Sequence, residues 1–370
     1  MKKLFVLSIA SGYGGAERSI EVIARHLPPD IFLKVYAENP LHLAELEKLA
    51  ASSDQIQVVK VNCAGTRWGR RFAAVRLIGD FLLNRPHRIL VNTHSSALVA
   101  ATAAKYLKNL GRYCHLYVRD FLWRDLDFIF QRLSRAEIIT PTVVVTQRIG
   151  YLNPFYLNSF RTKNYSSIPD MVEIRDVELQ QDGSFLHLAT VNPWKGHADL
   201  MLALAVLKSR GVLIPIRSFG VVGDEALKVR LELLRHELGI KDRFDLEGYV
   251  SDPIPLLARC KAVVIPSVSH SGGAETFGRV AIEAWACKKP VIAYACGAMS
   301  LLIEDGVDGI LVPEGDIDAL AMAINKLEDS PALRQRLGEA GHAKVLKHYE
   351  ANVVTRDLMC HLFSQRNVVS

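Results

Sequence analysis

Two glutamates, Glu275 and Glu283, stand eight residues apart with Phe277-Gly278 between them. The first precedes a helical stretch opening near Phe277; the second lies inside an apolar run from Val280 to Cys287. A carboxylate among Ala, Ile and Trp is costly to bury unless it is hydrogen-bonded. Ribose or pyranose hydroxyls would supply those bonds. The alternative has Glu283 facing solvent and Glu275 serving the positive end of a helix dipole. A second pattern joins Arg67, Arg70, Arg71, Arg76, Arg85 and Arg88 with Trp68, Phe72, Leu77 and Phe81. It fits a basic amphipathic helix on anionic lipid, or a solvated face over an ordinary core stripe. The six cysteines form no CxxC pair and no metal-type spacing. They read as small hydrophobes in a reducing compartment, and no metal cluster is evident.

These groups need a scaffold, and 370 residues suffice for two α/β cores. A hydrophobic content of 49% against 23% charged residues is that of a globular chain. No apolar run reaches the roughly 18 to 20 residues of a membrane span. Lys2-Lys3 followed by Leu4–Ala10 imitates a signal peptide, but the run passes straight into Ser11-Gly12-Tyr13-Gly14-Gly15. It reads as a buried first strand ending in a glycine turn. Residues 1–170 carry a net charge of +10 and the remainder −4. A basic first half attracts anionic partners such as a membrane surface; no nucleic-acid module is recognisable.

Apolar runs alternate with helical patterns. Strands are expected at Leu4–Ala10, Arg88–Asn92, Tyr113–Val118 and Glu137–Thr140, with helices at Glu17–His26 and from Val143–Ile149. The stretch Ser166–Gly183 breaks the rhythm. A second series follows at Phe185–Thr190, Ile214–Gly220, Phe244–Leu246, Ala262–Pro266, Val291–Tyr294 and Ile310–Val312, with helices at Asp199–Arg210 and Glu225–Leu238. Such alternation implies parallel βαβ units in doubly wound sheets. The division is an N-terminal domain over 1–168, a linker over 169–183, a C-terminal domain over 184–350 and a closing helix over 351–370. Val353, Val354, Leu358, Met359 and Leu362 let that helix pack back on the N-terminal domain. Ligands of such sheets bind beyond the strands' carboxyl ends, so two facing halves would create one interdomain cleft.

The segment from Ser267 to Ala284 resembles the E-x7-E motif of retaining GT-B glycosyltransferases, specifically glycosyltransferase family 4. Gly248-Tyr249-Val250-Ser251-Asp252 resembles the family's loop beside the nucleobase, and Lys289 to Val312 its downstream pattern. Gly14-Gly15-Ala16-Glu17-Arg18 resembles its phosphate-side glycine loop. The resemblance implies the GT-B fold, two Rossmann-like domains, and transfer of a sugar from a nucleotide diphosphate donor with retention of configuration. It implies that Glu283 bonds the donor ribose, while Glu275 and the amides of Phe277 and Gly278 hold sugar hydroxyls and diphosphate. Lys195 would neutralise the departing diphosphate, Gly14 and Gly15 would approach the phosphates, and Tyr249 and Val250 would flank the base. A lysine and helix amides can replace a metal, so no metal and no cofactor are expected, with UDP expected before GDP.

Two positions depart from the family. Thr190 stands where an arginine is usual, and Arg119-Asp120 where His-Asp is usual. Arg119 is expected to supply the cation that Thr190 lacks; the alternative is an Arg119–Asp120 pair on a solvated loop. His94, after a buried strand, resembles a histidine that the family places at its cleft. The expected acceptor is a glycan or lipid-linked glycan in cell-surface polysaccharide or glycoconjugate synthesis, in the cytoplasm or at the membrane's inner face. The competing functions are a non-hydrolysing sugar-nucleotide epimerase and a non-catalytic sugar-nucleotide-binding protein. A nicotinamide-dependent oxidoreductase is disfavoured, because Gly12-x-Gly14-Gly15 lacks G-x-G-x-x-G geometry.

Overall fold

The computed structural model describes residues 1–63, 65–119, 125–142, 145, 165–180, 183–269 and 275–364, with only the backbone at 126 and 165. The expected helix at Val143–Ile149, Asp120 and the segment 270–274 fall outside these residues, wholly or nearly so. The chain divides into two compact units, Met1–Met171 with Ala351–Ser370, and Val172–Glu350.

Unit 1 is built on a seven-stranded sheet. Its strands are β1 (Lys2–Ser8), β2 (Ile31–Ala37), β3 (Ile56–Lys60), β4 (Arg88–Val91), β5 (Cys114–Tyr117), β6 (Glu137–Thr140) and β7 (Tyr165–Ser167). Their order is β3-β2-β1-β4-β5-β6-β7 and every pairing is parallel. The near-continuous apolar runs follow from burial on both faces. Along β1, Leu4 and Val6 face the helices Gly15–Arg25 and Ala351–Phe363, while Phe5 and Leu7 face Arg67–Asn84 and His94–Ala103. The closing helix thus packs within unit 1. Strands β2, β3 and β7 were not singled out from the sequence, and β7 falls at the start of the stretch that breaks the rhythm.

Unit 2 holds β8 (Phe185–Leu188), β9 (Ile216–Phe219), β10 (Phe244–Glu247), β11 (Ala262–Ile265), β12 (Val291–Tyr294) and β13 (Gly309–Val312). The order is β10-β9-β8-β11-β12-β13, again parallel. Much of the stretch expected as a linker belongs to this unit. Val172 N–H donates to Tyr349 O at 2.9 Å, and Gln180 N–H to Ala258 O at 3.0 Å. Strand order reverses between β1 and β4 in unit 1 and between β8 and β11 in unit 2. Those are the switch points beyond which such sheets bind ligands.

Candidate functional site

The loops leaving β8 and β11 bring together Lys195, Ser267 and Glu275 of unit 2. After β8, Pro193–Lys195 forms a single 3-10 turn that ends at Gly196, whose φ is +70°. A Cβ at Gly196 would overlap the Pro266 carbonyl, so this turn presses on the β11 loop as only glycine allows. Val268 N–H donates to Trp194 O at 2.9 Å, tying the two loops together. Lys195 Nζ thereby meets Glu275 Oε2 at 2.7 Å, and Ser267 Oγ donates to the same oxygen at 3.0 Å. Burial alone would raise the Glu275 carboxyl; Lys195 and Ser267 outweigh it and hold the group below the usual carboxylate range. The backbone of Glu275 is fixed from behind, where Ala298 N–H donates to its carbonyl at 2.8 Å. Gly297, at φ +54°, leaves room for that approach.

Two buried histidines lie under the lysine turn. His187 on β8 contacts Lys195 O at 3.1 Å through Nε2 and Ser218 Oγ at 2.9 Å through Nδ1. A carbonyl only accepts, so the proton sits on Nε2 and Ser218 donates to Nδ1. His197 stacks edge-on against this ring at 4.5 Å. Burial first, then neighbouring His197 and Lys195, push His187 well below its ordinary value; burial and Lys195 push His197 down to about 4. Both rings are therefore neutral near pH 7.

The remaining expected residues take these places. Phe277 is buried edge-on to Tyr349, with ring centroids 5.7 Å apart, and Gly278 caps the helix Arg279–Ala286. Glu283, in that helix, does not face solvent: it is buried, and Oε1 accepts from Arg279 Nε at 2.9 Å. Tyr249 is exposed and Val250 half-buried in the loop beyond β10. Thr190 is half-buried, its methyl lying 3.0 Å from where a Gly223 Cβ would stand. Ser267, His187, Ser218 and Glu314 were missed as site residues. Glu314 accepts from Ser269 N–H at 2.5 Å and Ser269 Oγ at 2.9 Å, bracing the β11 loop. Only Ser267, eight residues before Glu275, carries a local signal.

In unit 1, Gly14 and Gly15 follow β1 and open the helix Gly15–Arg25, and His94 opens the helix after β4 behind the Thr93 cap. Gly14 N–H already donates to Glu17 Oε2 at 2.9 Å. Arg119 corrects its expectation. It is neither on a solvated loop nor held out as a spare cation, but buried and ion-paired with Asp170. Its Nε donates to Asn92 Oδ1 at 2.9 Å, its Nη1 to Ser19 Oγ at 3.1 Å, and the guanidinium lies 3.7 Å over the Tyr117 ring. Asp170 comes within reach because the stretch after β7 passes the end of β5, where Tyr117 Oη donates to Ile168 O at 2.6 Å.

Residues 173–344 match the family model described as glycosyl transferases group 1. The matched segment lies within unit 2. Over 171 residues the chain is 34% identical to a lipopolysaccharide core biosynthesis glycosyltransferase, LpsD, of Rhizobium meliloti, covering 46% of each chain. It is 29% identical to the capsular polysaccharide biosynthesis glycosyltransferase CapM of Staphylococcus aureus, over 76% of this chain and 71% of that one. The match spans about half or less of the length of several of these relatives, 46%, 38% and 52% in three of them. Among solved structures, Anabaena HepE in complex with UDP and glucose superposes with a TM-score of 0.78 at 20% identity, over 99% of this chain and 100% of that one. A glycosyltransferase from Rickettsia africae gives 0.79 at 17% identity, over 98% and 99%. Their two parallel-sheet Rossmann-like domains are the GT-B fold, and this chain shares it.

Proposed function

We propose that the chain is a retaining, metal-independent glycosyltransferase that moves a sugar from a nucleotide diphosphate, UDP before GDP, to a glycan or lipid-linked acceptor in cell-surface polysaccharide synthesis. The Lys195–Glu275–Ser267 cluster at the switch point of unit 2, inside the segment that matches the family, carries this reading. The names of the relatives, LpsD and CapM, and the UDP and glucose bound to HepE support it.

In the proposed step the bond between the sugar's C1 and the diphosphate oxygen breaks, and its electron pair stays on the phosphate. The acceptor oxygen bonds C1 on the same face and passes its proton to that leaving oxygen. Lys195 exchanges Glu275 for the diphosphate and stabilises the charge that develops there. Glu275 turns to the sugar hydroxyls, with the Phe277 and Gly278 amides toward the diphosphate, while Glu283 bonds the ribose. Tyr249 and Val250 flank the base.

Thermal unfolding against UDP, GDP and their sugar conjugates tests this. A ligand at about 100 times its Kd stabilises by about 2.7 kcal/mol. A shift with one nucleotide series, lost in Glu283→Ala, is expected, and turnover is expected to survive EDTA. Thr190 in place of a cation, with Arg119 committed to Asp170, favours a second reading, a non-catalytic sugar-nucleotide-binding protein. Binding without turnover on any acceptor would select it.

The membrane's inner face is the proposed place of work. Helix Arg67–Asn84 exposes Trp68, Phe72, Val75, Leu82 and Leu83 beside Arg67, Arg71 and Arg76. Its one acid, Asp80, turns inward to Lys34 Nζ at 2.7 Å and Tyr36 Oη at 2.8 Å. Exposed aromatics ringed by arginine suit an anionic lipid surface. Among the described residues no helix is long and apolar enough to cross a membrane. Sedimentation with phosphatidylglycerol vesicles at low salt, lost in Phe72→Glu, is expected; no sedimentation would remove this part.

A further inference from the structure

Three residues with no part in the proposed donor site converge in unit 1. His115 lies on β5, Glu137 opens β6 and His361 sits in the last turn of the helix Ala351–Phe363. His115 Nδ1 is 3.3 Å from Glu137 Oε2, and His361 Nε2 is 3.0 Å from Glu137 Oε1. One ligand atom from each of the three lies within 4.8 Å of the others. Both contacts have the length of a hydrogen bond, yet neither ring nitrogen has a hydrogen-bond partner, so the directions are wrong for one.

Proton bookkeeping sharpens this. Ser166 Oγ donates its single proton to Glu137 Oε1 at 3.3 Å. Ser166 Oγ also lies 3.4 Å from His361 Nδ1, and while its proton goes to Glu137 it can only accept from the ring. In that tautomer a neutral His361 aims the Nε2 lone pair at a carboxylate oxygen 3.0 Å away. That arrangement repels unless a cation stands between. The cation is either a second ring proton or a metal ion, and the poor N–H direction disfavours the proton.

We propose that His115, Glu137 and His361 form a structural site for one divalent transition-metal ion of the Zn²⁺ class, stapling the closing helix of unit 1 to β5 and β6. Two imidazoles and one carboxylate are a donor set that such ions favour. The two rings approach different oxygens of the one carboxylate, at 3.3 and 3.0 Å, so that an ion held between them could meet both imidazoles and Glu137 with small adjustments of side-chain rotamer. The Nδ1–H of His361 toward Ser166 Oγ is the outer contact that a metal-bound histidine usually keeps. Arg88 is the opposing charge nearby; its Nε is directed at Leu362 O at 2.6 Å and its Nη1 at His87 O at 2.8 Å. The site is independent of the proposed transfer step and of its metal requirement.

The full chain, stripped with EDTA and titrated with Zn²⁺ alone, tests this by calorimetry and thermal unfolding. One ion per chain and a raised Tm are expected, both lost in His361→Gln. Ser166→Ala, which leaves the three ligands in place, should bind about 10-fold more weakly. Lys195→Met should bind as the parent does, which separates this site from the donor reading. Absence of one-to-one binding overturns the proposal. So does binding that persists in both His361→Gln and Glu137→Gln, which would place the ion on other histidines. A folded chain whose Tm is indifferent to Zn²⁺ while His361 titrates as an imidazolium in NMR would assign the cluster to a proton-bridged ion pair instead.

Discussion

Units 1 and 2 share the strand order of their first six strands, and each carries a cation beyond the carboxyl end of a strand, Arg119 after β5 and Lys195 after β8, yet they treat it differently. Lys195 in unit 2 is 24% exposed at its side chain and shares a proton-donor contact with Glu275, which is 15% exposed. Arg119 in unit 1 is 7% exposed and bonded to Asp170, Asn92 and Ser19 at once. A part-exposed lysine on a flexible stem can trade one anion for another. A buried guanidinium with several fixed partners cannot do so without leaving a carboxylate stranded. The same α/β frame therefore offers an exchangeable charge in one unit and a structural tie in the other.

The largest expected effect breaks the tie. Asp170→Ala leaves Arg119 buried without its counter-ion and should cost unit 1 about 3–5 kcal/mol in denaturant unfolding. A change below about 1 kcal/mol would show Arg119 to be freer than its contacts imply. Next, Lys195→Met should reduce kcat about 10²- to 10³-fold with little loss of stability in unit 1. An equal loss of turnover in both variants would erase the contrast between the units.

The histidines under Lys195 supply a pH test. His197 titrates at about 4 in the folded chain, against about 6.5 unfolded. A depressed group contributes stability that is full above about pH 6.5 and is lost as pH falls toward 4. Unit 2 should lose about 3 kcal/mol across that window, and His197→Phe should flatten the slope. Unit 1 has no such pair at its switch point among the described residues. The smallest effect belongs to Ser267→Ala, which removes one bond to a charged carboxylate, about 1.5 kcal/mol. It should let Glu275 rise toward its ordinary value, moving the acid limb of the pH–rate profile upward; an unmoved limb would remove Ser267 from the site.

The βα alternation was legible in the sequence because periodicity is local. Strands β6 and β12 fall where the apolar runs place them, whereas β2 and β3 lie in mixed stretches around Lys34 and Gln57 that weaken the signal. Glu275, Glu283 and Phe277-Gly278 announced themselves by spacing along one loop and helix. His187 and Ser218 did not, since a histidine and a serine on two strands acquire meaning only when the strands pair side by side.

The sequence by itself determined two α/β units, the glycine turn after β1, and the spacing of Glu275 and Glu283 along one loop and helix. Tertiary structure alone decided which charges meet. It paired Arg119 with Asp170 rather than leaving it on a solvated loop, turned Asp80 inward to Lys34, and gathered His115, Glu137 and His361 from three elements. The reason is physical: apolar periodicity is written within a few residues, whereas an ion pair between distant positions exists only after the chain has closed the loop between them.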